Sequence, residues 1–142
     1  MLITATKNKT LDLPEQLRKF AYGYFPSEEL PLTLGKTYLV SAIQVNKYGE
    51  FYLIIPDDRE EYSEPWWYPS ALFKIIDGYT PEDWTSNSHD DIKMTGFKEV
   101  VEDSHGKFYN DLLDGEKYAK EIFFKYYNKY AEHHGIDIHK HR

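Results

Sequence analysis

Hydrophobic positions recur along this chain with two different periods, and the change of period divides it. From Tyr38 to Val45 and from Phe51 to Ile55 the residues are β-branched, aromatic or aliphatic. The link Asn46–Glu50 contains Gly49, which can take the positive φ of a tight reversal, so the pair predicts a β-hairpin. Tyr38, Val40 and Ala42 point one way along the first run and Leu39, Ile43 and Val45 the other. Both faces carry apolar groups, which suits a sheet wrapped on itself or covered on both sides. Pro56-Asp57-Asp58 ends the second strand, and Ala71–Ile76 reads as a third. Leu2–Thr6 is a further short strand, placed at an edge of the main sheet. Ile92–Gly96 is another, followed by irregular chain or a continuation of the strand.

The helical period appears at both ends. Pro14 and Glu15 suit a first helical turn, and Leu13, Leu17, Phe20 and Ala21 form an inward stripe to about Tyr22. Thr80–Trp84 predicts one helical turn that drops Trp84 onto the sheet. Ser104 reads as the cap of a helix over about His105–Leu113. A longer helix, Glu116 to about His133, carries Ala119, Ile122, Phe123, Tyr126, Tyr127 and Tyr130 on one side, and Gly135 ends it. Ser86–Asp91 is polar and reads as a mobile loop. These elements predict an α+β fold: a small bent antiparallel sheet or SH3-like barrel, with an N-terminal helix and a C-terminal helical pair. At 142 residues the chain suits a single domain, its β-unit over about 32–84 and its helices over about 104–134.

Charge adds a direction. The net charge is −7, and residues 36–105 hold fourteen acidic and six basic side chains, a balance of −8. Phosphates demand a basic surface, so this argues against a nucleic-acid ligand and for a basic partner, a cation or plain solubility. Cysteine is absent, so neither a disulfide frame nor thiol chemistry is expected. No apolar run approaches the roughly 20 residues of a membrane span, and the N-terminus lacks a secretory signal pattern. The expectation is a cytoplasmic protein without a membrane segment.

The run Leu32–Trp84 carries a G-K-x-Y-x-V … Y-x-I … W-Y-P-x-x-L-F pattern. It resembles a family of small, mostly uncharacterised bacterial proteins. In size, composition and acidity the chain is also similar to immunity proteins that neutralise a toxin. That resemblance implies a binding role, a toxin domain as partner, and no catalytic residue.

Several groups are candidates for function. Asp57, Asp58, Glu60, Glu61 and Glu64 form an acidic loop beside Trp66, Trp67 and Tyr68, and aromatic anchors ringed by charge suit a protein-binding hot spot. Alternation puts Trp66 and Tyr68 on one side of a strand and Trp67 on the other, so one side is core and the other a rim. His133, His134, His139 and His141 could bind zinc, nickel or copper, or simply lie in a solvated terminus. His89-Asp90-Asp91 and Glu102-Asp103 with His105 set carboxylates beside imidazoles, the chemistry of acid–base or metal-dependent hydrolysis. No phosphate-cradling loop, dinucleotide fingerprint or nucleophile elbow is present, and no cofactor is expected. The leading expectation is an immunity-type inhibitor of a basic protein; the alternatives are a small metal-dependent hydrolase and a structural subunit of a homo-oligomer.

Overall fold

Runs that are apolar on both faces need cover on both sides, and the chain supplies it with helices on one face and a second sheet on the other. A computed structural model describes residues 1–15, 17, 29–57, 64–103 and 106–136. The strands are β1 (Leu2–Ala5), β2 (Thr37–Leu39), β3 (Ala42–Asn46), β4 (Gly49–Ile54), β5 (Trp66–Pro69), β6 (Phe73–Asp77), β7 (Thr85–His89) and β8 (Ile92–Gly96). The helices are α1 (Lys98–Val101), α2 (Lys107–Leu113) and α3 (Lys117–His133).

The strands form two antiparallel sheets, one of five in the order β5-β4-β3-β8-β7 and one of three in the order β2-β1-β6. The predicted strand Tyr38–Val45 is thus two strands with a corner at Val40–Ser41. There the Val40 amide bonds the Met1 carbonyl, and the next amide, of Ser41, bonds the Leu53 carbonyl. A single segment therefore feeds both sheets. Of the two predicted forms, the bent open sheet is the one found; among the described residues the strands do not close into a barrel.

Side-chain alternation sorts the core. Leu53 and Ile55 face a cluster with Ala42, Phe97, Phe108, Phe123, Phe124 and Tyr127, which fills the space under the helices. Tyr52 and Ile54 face a second cluster with Ile3, Tyr38, Val40, Tyr68 and Leu72, between the two sheets. Trp84 packs against both clusters, as expected, though Pro81–Trp84 is a hydrogen-bonded turn and not a helical one. On α3 the buried stripe is Ala119, Phe123, Phe124, Tyr127, Tyr130 and Ala131. Gly135, at φ 69°, ends that helix, and the Ile136 amide closes it onto the Ala131 carbonyl at 2.8 Å. No described helix is long and apolar enough to cross a membrane.

Four expectations change. Leu2–Ala5 lies at the centre of the three-stranded sheet rather than at an edge of the main one. Ala71–Ile76 is not a third strand of the main sheet: Ser70–Leu72 is a 3-10 turn and Phe73–Asp77 pairs with β1. Pro69 starts that change of direction because it has no amide to extend the ladder. Ser86–Asp91 is no loop, since Thr85–His89 pairs with β8 through a two-residue turn, Asp90-Asp91, at φ 49° and 63°. Aspartate tolerates that region, and such turns match the twist of a hairpin. After Gly96 the chain forms one α-helical turn, burying Val100 and Val101. The predicted N-terminal helix over Pro14–Tyr22 falls mostly outside the described residues, as does the predicted cap Ser104.

Candidate binding cleft

The helices do not cover the whole of the sheet face above them. Where β3, β5, β7 and β8 run past α1 and the start of α2, a cleft of about 300 Å³ remains, lined in part by Gln44, Trp67, Asn87, Met94, Asp103 and Tyr109. Strand alternation brings them together. Gln44 lies opposite Met94 in the β3–β8 ladder, and Met94 lies opposite Asn87 in the β8–β7 ladder. Directly opposed residues share a face, so these three make a row across the floor. The row is tied laterally: Gln44 donates through Nε2 to Met94 Sδ at 3.4 Å and accepts from Asn46 Nδ2 at 2.9 Å.

The walls come from β5 and α2. Trp67 and Tyr109 meet with ring centroids 6.3 Å apart and planes tilted by 50°. The Tyr109 hydroxyl donates to the Pro65 carbonyl at 3.2 Å, which fixes the ring against the approach to β5. Asp103 sits at the start of α2, where its two carboxylate oxygens accept from the Phe108 and Tyr109 amides at 2.9 and 3.1 Å. These are two of the donors a helix start leaves without a partner. Ile92, Val100 and Val101 add apolar lining, and His89 stands at the mouth, its Nε2 3.1 Å from Asp90 Oδ2.

The predicted aromatic triplet alternates along β5, but its two sides do not divide into core and rim as expected. Tyr68 is core at 4 % exposure, and Trp66, on the same side of β5, reaches the rim at 37 %. Trp67 lies half-buried on the other side, at the cleft. Thus an indole stands at the sheet edge and its neighbour opens into the concavity.

Asp57, the first of the predicted acidic group, is engaged within the fold. It accepts from Thr33 Oγ1 at 2.6 Å, Lys36 Nζ at 2.7 Å and the Tyr38 hydroxyl at 2.9 Å. Burial alone would raise its pKa, but the bonds from Lys36, Thr33 and Tyr38 outweigh that and hold the carboxyl below its usual range. Glu64 is half-buried just before β5. Asp58, Glu60 and Glu61 lie outside the described residues.

The histidines do not gather. His134, whose side chain is 3 % exposed, places Nδ1 3.3 Å from Asp77 Oδ2 and Nε2 3.4 Å from the Met1 amine. Its pKa is lowered, first by burial and then by the amine, with Asp77 opposing. His133 stacks on Tyr79 with centroids 3.9 Å apart. His89 belongs to the cleft and His133 to a different pocket, with Glu82, Asp83 and Lys129. His105, His139 and His141 lie outside the described residues. Among the described residues no group of three or more His, Asp or Glu side chains is placed to hold a metal ion.

Of the cleft residues, Trp67 is a binding candidate in the sequence and His89 and Asp103 are acid–base candidates there, whereas Gln44, Asn87, Met94 and Tyr109 are not marked by it. The signal available was the alternation of Asn87 and His89, which the polar character of β7 concealed. No family model matches the chain, no curated protein matches it, and no solved structure matches it.

Proposed function

We propose that this chain is a binding protein for a basic protein partner, in its most concrete form an immunity-type inhibitor that masks a toxin. The observation that carries the reading is the split of Trp66 and Trp67, one indole at the rim of an edge strand and the next at an open cleft. An exposed aromatic beside an apolar concavity supports a hot spot for a protein partner. No lysine or arginine lines the cleft among the described residues, and residues 36–105 carry a balance of −8. That field would speed encounter with a positive surface and repel an acidic one. The test is capture from the native host on the immobilised full chain, at about 0.05 M and about 0.5 M salt. A basic protein held at low salt, released at high salt and lost with Trp66→Ala supports the reading. Recovery of nothing, or of a partner indifferent to salt, counts against it.

A second reading, a self-associating subunit, draws on β6. That strand is outermost in its sheet, and Ile75 and Ile76 are 50 % and 55 % exposed. Edge strands with exposed apolar groups favour strand addition. Sedimentation at rising concentration separates the two: a dimer abolished by Ile76→Lys belongs to this reading, and a monomer throughout excludes it.

A further inference from the structure

We infer that the cleft beside Trp67 receives the guanidinium group of an arginine side chain presented by the basic partner; the inference rests on the binding reading above and names what the site recognises. Size is the first consideration. At about 300 Å³ the cleft is at the small end for a ligand site and suits one long side chain rather than a cofactor. Its apolar part, Ile92, Met94 and Val100, suits a methylene stem.

The polar part selects the head group. Trp67 and Tyr109 offer π faces, on which a planar, weakly hydrated cation stacks better than a compact ammonium. Asp103 supplies a carboxylate whose position is locked by the two α2 amides. Each of its oxygens accepts one of those bonds, and a carboxylate oxygen has room for a second. The fork of a guanidinium matches a pair of such oxygens. A carboxylate or phosphate ligand would meet Asp103 with no lysine or arginine among the described lining residues to offset it. A neutral planar group could stack but would leave that carboxylate without a counter-charge.

The test titrates the isotope-labelled full chain with N-acetyl-arginine amide and follows the Trp67 indole and Met94 methyl signals by NMR. Citrulline amide, the neutral isostere, and lysine amide are the controls. Saturable shifts confined to the cleft are expected with arginine, with binding about tenfold weaker for citrulline. Asn87→Lys, on a fully exposed strand, places a cation in the cleft and should abolish the arginine shifts while the remaining spectrum stays native. Asp103→Asn should weaken arginine about tenfold and citrulline less than that. Equal binding of arginine and citrulline, or shifts that map elsewhere, overturns the inference. If capture of a basic host protein persists while arginine amide leaves Trp67 unmoved, the arginine assignment falls and the binding reading stands. If capture fails as well, both fall.

Discussion

The Tyr38 hydroxyl donates a hydrogen bond to Asp57 Oδ1 at 2.9 Å, while the Thr33 amide donates to that same hydroxyl at 2.8 Å. Burial and the neighbouring carboxylate push the Tyr38 pKa up to about 12, so the hydroxyl remains a donor throughout the neutral range. Lys36 completes the arrangement from the other side, 2.7 Å from the same oxygen. The outcome is a joint between the start of β2 and the end of β4, made by a residue whose surroundings in sequence suggested a solvent-facing acid.

Asp57→Asn should therefore destabilise the fold by about 1–3 kcal/mol near neutral pH. Because the folded chain holds this carboxyl below its ordinary value of 3.8, the native state favours its ionised form. That contribution is complete above about pH 4 and is lost as pH falls through the folded value. Denaturation curves of wild type and variant should thus differ most at neutral pH and converge in acid.

His134 follows the same sign at a higher pH. Its folded pKa lies below the ordinary 6.5, so the unfolded chain takes up the proton first. Stability from this residue is present above about pH 6.5 and is lost as the pH falls below it. Asp77, the Met1 amine and the His133 ring are the charged or titratable groups near it, and of these Asp77 alone opposes the shift. His134→Gln should flatten the change in denaturation midpoint between about pH 7.5 and about pH 5.5.

Gly96 sits where β8 crosses closest to β3. A Cβ there would lie 2.8 Å from the Ala42 Cβ and 3.3 Å from the Ser41 carbonyl oxygen. Neither neighbour is a flexible chain end, so Gly96→Ala should cost about 1–3 kcal/mol and lower the thermal midpoint. Pairing it with Ala42→Gly should recover part of the loss.

Asp103→Ala removes both bonds at the start of α2. Loss of a helix cap costs about 1 kcal/mol, up to about 2. Asp103→Asn keeps one acceptor but sets its NH2 group against the other amide, so it should recover only part of that stability, and not the binding of a cation. Chemical denaturation and arginine titration on the same two variants separate the structural from the recognition role of this side chain.

The parts of the fold legible in the sequence are those where pattern and burial agree. The hairpin of β3 and β4 and the aromatic stripe of α3 are such places, and so is the alternation of Trp66, Trp67 and Tyr68. β7 was not legible because Thr85, Ser86, Asn87, Ser88 and His89 are all exposed, leaving no apolar face to mark a strand. Its support is the ladder to β8 and contacts such as the Ser86–Thr95 hydroxyl pair at 2.9 Å. The cleft was half legible. Trp67 stood out, but its partner Tyr109 comes from a helix forty-two positions later and Met94 from a separate hairpin. Asp57 was misplaced for a related reason: nearness to other acids along the chain says nothing about Lys36 and Tyr38 lying across the sheet.

The turn of direction at Val40–Ser41 has a bearing on how the protein assembles. With Val40 bonded toward Met1 and Ser41 toward Leu53, adjacent peptide groups are shared between strands from distant parts of the chain. The five-stranded sheet can start from its own hairpins, β3–β4 and β7–β8. The three-stranded sheet joins β1 to β2 and β6 only across long connections, so closing those loops is the slower part of folding, and the corner ties that step to a hairpin already formed.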